Sequence, residues 1–190
     1  GGGVQFGFVA GFCGYKYLAT EIRQNQCDAN NAICKSFDAT WLKTDSSKYF
    51  DPKAKFDMVF SCPPYRLIET YLDYDGKPPL GELNSLSSYQ EFKETLFEGY
   101  SNAIKMLNDN CFFVVMVGDS RDNDGAYYCC EAETEMFLKS QGLHIYNRIV
   151  YLEHQFTRAI QAQKTSRTRK LPKVEQKIIV AYKGDVKKIP

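Results

Sequence analysis

Phe56-Asp57-Met58-Val59-Phe60-Ser61-Cys62-Pro63-Pro64-Tyr65 is the stretch that decides how this chain is read. Its first six residues are a short apolar run, the pattern expected of a strand buried on both faces. Pro63-Pro64 ends that strand, because proline has no N–H to give to a sheet ladder. In an open parallel sheet, ligands bind at the carboxyl ends of the strands. A double proline at that point stiffens the backbone, leaves carbonyls without sheet partners and presents Tyr65 as a flat platform.

Working outward, Tyr15 to Ile22 reads as a strand tipped by Glu21. Arg23 to Ile33 suits a short helix, and Trp41 to Asp45 is a second segment ending on an acid. Ser88 to Leu107 has apolar residues at helical spacing, and Ser88 with Glu91 forms a capping box at its start. Asn108-Asp109-Asn110 reads as a turn and Cys111–Val117 as a buried strand. Tyr128 to Ser140 is a helix closed by Gly142. His144–Leu152 and Gln176–Tyr182 are two strands with no helix between them, so an antiparallel pair at one sheet edge is expected. The alternation of strands and helices indicates an α/β fold with a mainly parallel sheet. Neither an internal repeat nor an interdomain linker interrupts residues 1–190, which read as a single domain.

The 190 residues suffice for one core, and 44% apolar with 25% charged residues excludes a disordered or fibrous chain. Aromatics at 14% favour a dense core or a site that stacks on flat ligands. A net charge of +1 leaves any nucleic-acid signal to local placement. Seven cysteines without Cys-x-x-Cys spacing, and two histidines apart from them, argue against a zinc site or a disulfide framework. Reduced and mostly buried thiols in an intracellular protein are expected. Cys111–Val117 is too short an apolar stretch to span a bilayer, and no signal peptide is evident.

Gly1-Gly2-Gly3 followed by Glu21 has the spacing of a glycine turn and the acid that accepts hydrogen bonds from ribose hydroxyls. A plain turn fits the same spacing. Residues 155–174 contain no acid but hold Arg158, Lys164, Arg167, Arg169, Lys170 and Lys173. A charge run of this kind also fits a plain solvated loop; a hairpin connection there lies at the same sheet edge as Tyr65, and its six cations suit phosphate contacts. Residues 66–88 form a long polar segment, the second candidate for target contact. Its acids Glu69, Asp73, Asp75 and Glu82 argue against a simple phosphate track, so base reading or dimer contact fits as well.

Cys62-Pro63-Pro64-Tyr65 resembles the Asp/Asn/Ser-Pro-Pro-Tyr/Phe motif of the S-adenosylmethionine-dependent amino-group DNA methyltransferases, at three of four positions. Gly1-Gly2-Gly3 resembles the tail of their Asp-Pro-Phe-x-Gly-x-Gly turn, residues 17–30 the strand and helix that follow, and residues 173–183 the last strand of bacterial and phage members. The resemblance implies a Rossmann-like methyltransferase fold whose first strand and Asp-Pro-Phe are missing from this chain. It implies S-adenosyl-L-methionine held by Gly1, Gly2, Gly3, Glu21, Ile22, Asp45 and Cys62, with Asp45 meeting the adenine. It also implies DNA as partner, bacterial cytoplasm or a phage-infected cell as location, and no membrane; a homodimer is compatible with it.

The activity implied is methyl transfer to the exocyclic amine of adenine (N6) or cytosine (N4) in DNA. The amine lone pair is delocalised into the ring. Carbonyls of Cys62 and Pro63, helped by Ser61 or Cys62 side chains, would accept its hydrogens and favour a pyramidal nitrogen. Pro64 stiffens the loop, and Tyr65 stacks on a base flipped from the duplex. Cys62 departs from the family's acid, amide or hydroxyl and is a poor acceptor. Alternatives are an RNA guanine-N2 or protein-glutamine methyltransferase, an inactive DNA-binding module, and Cys62 as a covalent nucleophile on cytosine.

Overall fold

Gly7 and Gly11 stand one helical turn apart on α1 (Val4–Phe12), and they decide how closely this helix packs. A Cβ on Gly7 would lie 2.0 Å from the Trp41 indole, and one on Gly11 would lie 2.4 Å from Phe37. No reading of the sequence above anticipates this helix, which is apolar but for Gln5. The structure, a computed structural model, describes residues 4–64, 71–121, 125–152 and 175–189. The chain divides into two compact units, Gly1–Asn108 and Asp109–Pro190.

In the first unit, β1 (Tyr17–Glu21) and β2 (Ala39–Lys43) pair in parallel from Tyr17↔Ala39 to Glu21↔Lys43, joined by α2 (Gln24–Ile33). The Asn31 side chain accepts from Trp41 N at 2.8 Å and donates to Trp41 O at 3.0 Å. An amide side chain thus takes the place of a further strand at that position of β2. Ala19, Cys27, Cys34, Ala39 and Trp41 form the buried cluster, with Val4, Tyr17 and Phe37 against it.

β3 (Phe56–Ser61) coincides with the expected strand, but it is not buried on both faces. Met58 and Phe60 share one face and are 56% and 39% exposed. The apolar run correctly marks a strand, but what covers each face depends on residues remote in sequence. On this strand the Phe6 ring of α1 lies 4.6 Å from that of Phe60. α3 (Tyr89–Met106) follows, burying Phe92, Leu96, Gly99, Tyr100, Ile104 and Met106. Its cap departs in detail from the expected box. Ser88 Oγ accepts from Glu91 N, whereas the Glu91 carboxylate turns to Ser87 N at 3.1 Å and Ser87 Oγ at 2.8 Å.

β4 (Leu107–Val117) starts directly after α3, so the expected turn at residues 108–110 is absorbed into a strand. Asn110 within it has a positive φ of 61°. In the second unit β8 (Glu175–Lys183) lies between β4 and β7 (His144–Leu152), antiparallel to both. The antiparallel pair is therefore as expected, with the last strand inside it and β7 outside. α4 is Cys130–Ser140, two residues shorter at its start than expected, because β5 (Ser120–Arg121) and β6 (Tyr127–Tyr128) make a small antiparallel pair first. Phe113, Val115, Val117, Leu138, Leu143, Ile179, Ala181 and Tyr182 are buried in this unit, with Thr134.

All seven cysteines are thiols, but only Cys27 and Cys34 are buried; Cys13 and Cys129 are exposed. The expectation of mostly buried thiols fails because Cys13 follows the end of α1 and Cys129 precedes the start of α4, both at the surface. Among the described residues no helix is long and apolar enough to cross a membrane.

Gly7→Ala tests the packing of α1. The substitution gains about 1 kcal/mol of helix propensity. Trp41 is 2% exposed and has nowhere to retreat, and overpacking costs about 1–3 kcal/mol. Urea denaturation is expected to show a net loss of stability. A variant more stable than the parent would mean that α1 does not pack as described.

Candidate active site

Three strands of the first unit deliver the candidate residues at their carboxyl ends. β1 ends on Glu21, β2 leads through Thr44 to Asp45, and β3 ends on Ser61 before Cys62, Pro63 and Pro64. Thr44 N donates to Glu21 O at 3.0 Å, which ties the first two ends together. Of the predicted residues, Glu21, Ile22, Asp45, Ser61, Cys62, Pro63 and Pro64 are therefore brought into one unit. Gly1, Gly2, Gly3 and Tyr65 lie outside the described residues. So do residues 66–70 of the long segment and all six cations, Arg158, Lys164, Arg167, Arg169, Lys170 and Lys173.

Glu21 is 4% exposed. Its Oε1 accepts from Arg23 N and Arg23 Nε, both at 3.0 Å, and Oε2 accepts from the guanidinium at 3.3 Å. Burial pushes this carboxyl up, but the hydrogen bonds and charge of Arg23 outweigh it and hold Glu21 below its ordinary range. It is an ionised, oriented acceptor. Arg23 is the residue missed here: it stands two places after Glu21 in plain sight, but an alternating reading treats it as the polar start of a helix. Its guanidinium lies 4.6 Å over the Tyr71 ring.

Asp45 is half-buried. Its Oδ1 accepts from Ser47 N at 2.9 Å and Ser47 Oγ at 2.7 Å. Asn102 of α3 donates to Ser47 O at 2.8 Å, so the amphipathic helix holds the turn that carries this acid. Ser61 and Cys62 are half-buried and Pro63 is buried, so the double proline is anchored while its flanks remain accessible.

The segment after the prolines contributes more than target contact. Asp73 Oδ2 accepts from Gln24 N and Oδ1 from Asn25 N, each at 3.0 Å. α2 has no side-chain cap of its own, since Arg23 occupies its cap position, and Asp73 supplies one from 49 residues away. Asn25 Nδ2 donates to Leu72 O, and Tyr74 OH donates to Asp28. A Cβ on Gly81 would lie 3.2 Å from Asp45 Oδ2, so the segment also runs against the second acid. Buried Glu82 is pushed up by its burial, and the charges of Arg23 and Glu21 act on it in opposite directions. Sequence signals for these partners are weak, because contacts across some 50 residues leave no local pattern. Among the described residues no group of three or more His, Cys, Asp or Glu could hold a metal ion.

No family model matches the sequence, and no curated protein matches it. Solved structures do resemble it in fold. A S-adenosylmethionine-dependent methyltransferase from Methanosarcina mazei superposes with a TM-score of 0.58 at 11% identity, over 93% of this chain and 85% of that one. One from Mesorhizobium loti gives 0.56 at 12% identity, over 93% and 84%. A proposed DNA modification methylase from Thermus thermophilus, complexed with S-adenosyl-L-methionine, gives 0.51 at 14% identity, over 92% of this chain and 58% of that one. The chain thus spans little more than half of the Thermus protein. It has the α/β, Rossmann-like fold of these methyltransferases.

Asp73 makes a pH-dependent prediction. Backbone hydrogen bonds from Asn25 and Gln24 hold its carboxyl below the ordinary value. A depressed folded-state value means that its contribution is present above the unfolded value of about 3.9 and is lost as pH falls through the lower folded one. Asp73→Ala is expected to lower the melting temperature at pH 7, with the gap to the parent closing below about pH 4. Thermal melts across the acid range check this, and a gap that stays constant would exclude the carboxylate charge as the cause.

Proposed function

We propose that this chain is a methyltransferase that moves a methyl group from S-adenosyl-L-methionine to the exocyclic amine of adenine (N6) or cytosine (N4) in DNA. The observation that carries the reading is the Ser61-Cys62-Pro63-Pro64 exit from β3, in the same unit as two carboxylates at the ends of β1 and β2. A methyltransferase fold supports it, as does the presence of a proposed DNA modification methylase among the structures of that fold.

The donor set fits the cofactor. Glu21 and Asp45 are acceptor-only when ionised, suited to the ribose hydroxyls and the adenine amine respectively. Arg23 holds Glu21 charged and oriented at the end of β1, and at 4% exposure its carboxylate would meet a ribose hydroxyl once the side chains around it shift. The bound cofactor supplies an electrophilic sulfonium methyl. Cys62 and Pro63 would accept the two amine hydrogens on their carbonyls, which favours a pyramidal nitrogen with its lone pair exposed. Tyr65 would stack on the base, and water would receive the proton released from the methylated nitrogen. Cations at Arg158, Lys164, Arg167, Arg169, Lys170 and Lys173 would bind phosphates and fix register without reading sequence.

Calorimetric titration of S-adenosylmethionine tests the cofactor site. Glu21→Ala is expected to weaken binding by about 1.5–3 kcal/mol, the range for hydrogen bonds to a charged group. The comparison is made in a full-length form that carries the Asp-Pro-Phe turn; unchanged affinity there would remove Glu21 from the site, and no binding by the full-length parent would end the methyltransferase reading.

Transfer of a radiolabelled methyl to DNA tests the reaction. Tyr65→Ala is expected to lose turnover far more than cofactor affinity, because a misplaced amine no longer lies in line with the methyl. Cys62→Ser is expected to keep or raise activity, since a hydroxyl accepts better than a thiol. A dead Ser variant with a trapped adduct on 5-fluorocytosine DNA would instead make Cys62 a covalent nucleophile.

A further inference from the structure

The small pair of β5 and β6 carries a feature that the proposed reaction leaves unused. Arg121 and Tyr127 are cross-strand partners in it. The Arg121 guanidinium lies 4.6 Å over the Tyr127 ring, and its Nη1 donates to Gly125 O at 3.1 Å. At the tip of the tyrosine, Tyr127 OH donates to Asp119 Oδ2 at 3.1 Å. Asp119 Oδ1 in turn accepts from Glu131 N, in the first turn of α4, at 3.0 Å. Burial of the phenol, together with Asp119, pushes it up to about 12, so the hydroxyl stays a donor. Thus the ring is held over its face and at its tip, yet Tyr127 remains 53% exposed. A side chain already fixed in this way loses little rotamer freedom when something stacks on it.

Its charges narrow the class of ligand. Lys177 pairs with Glu175, and Glu131 and Asp119 also act on that ammonium. Three carboxylates therefore stand with two cations, Arg121 and Lys177, which makes a poor place for a phosphate. A neutral aromatic face suits it better. Its position matters too. Val117, the last residue of β4, is in register with Lys177, and Leu152, the last of β7, with Glu175. The Arg121–Tyr127 pair thus follows within a few residues of the sheet edge where β7 ends and β8 begins.

Building on the nucleic-acid reading above, we propose that Arg121 and Tyr127 form a stacking platform for an unpaired base of single-stranded or locally opened DNA. Arg121 orients the ring and strengthens it as a π-surface, Asp119 pins it, and the base supplies the flat partner. Platforms of this kind tolerate any base, because each has a π-face.

Fluorescence anisotropy of a labelled single-stranded DNA oligonucleotide, titrated with the whole chain over a range of salt, tests this. Tyr127→Ala is expected to weaken binding about 5- to 150-fold, the stacking of one base, with the salt dependence unchanged. Tyr127→Phe keeps the ring and is expected to bind within about threefold of the parent. Tyr127→Leu keeps an apolar side chain in the hairpin without a π-face and is expected to bind as weakly as the Ala variant. Full affinity in Tyr127→Leu overturns the platform, as does a loss in Tyr127→Ala that comes with a shallower salt slope, which would indicate a phosphate contact. A parent chain that does not bind the oligonucleotide at all overturns the nucleic-acid reading itself. Binding by the parent with no effect of these variants overturns the platform alone.

Discussion

Asp73 closes the start of α2 with both carboxylate oxygens, and much of the first unit depends on that contact. A helix of ten residues leaves its first N–H groups without partners. Arg23, at the cap position, cannot satisfy them, because a guanidinium has no acceptor; its side chain donates to Glu21 instead. The cap must therefore arrive from elsewhere, and it comes from the chain that leaves the Pro63-Pro64 motif. Two parts of the candidate site are coupled as a result: the acid at the end of β1 and the segment that follows the double proline. Tyr71 on Arg23, Leu72 O on Asn25 and Tyr74 on Asp28 reinforce the same attachment.

The second acid is fixed by different means. Asp45 sits in a turn that folds on its own side chain through Ser47, and Asn102 of α3 grips that turn from outside. α3 is long and amphipathic, so a residue on its polar side is placed as firmly as the residues it buries. The two carboxylates of the site are thus set by two helices: α2, which is capped from a distance, and α3, which carries its own Ser88 cap. Glu21 is clamped and charged, whereas Asp45 is held mainly through its turn.

In the second unit the constraint is the sheet. Phe113, Val115, Val117, Ile179 and Ala181 are buried, as are Leu138 of α4 and Leu143 just beyond it. Order of this kind allows short, exposed features such as the Arg121–Tyr127 pair to hold a defined geometry at the sheet's end. The pair is too small to be stable alone; Asp119, linked to the start of α4, ties it to the core element behind it.

The sequence by itself determined the local order. A six-residue apolar run before Pro63-Pro64 can hardly be anything but a strand end. The spacing of Phe92, Leu96 and Ile104 requires a helix, and His144–Leu152 is legible as a strand to the residue. These signals are periodic or steric and act over a few residues. α1 carries no periodic signal, because a helix whose one polar side chain is Gln5 has no polar face to mark its period. The turn expected at residues 108–110 lies within β4 instead, where Asn110 keeps the positive φ that a turn residue would have. Only the tertiary structure decided which polar groups meet. Arg23 on Glu21, Asp73 on α2, Asn102 on the Asp45 turn and Asp119 on Tyr127 are hydrogen bonds or ion pairs, and those of Asp73 and Asn102 join residues about 50 places apart in the chain. A hydrogen bond depends on distance and direction in space, and those are set by the packing of whole elements rather than by any spacing along the sequence.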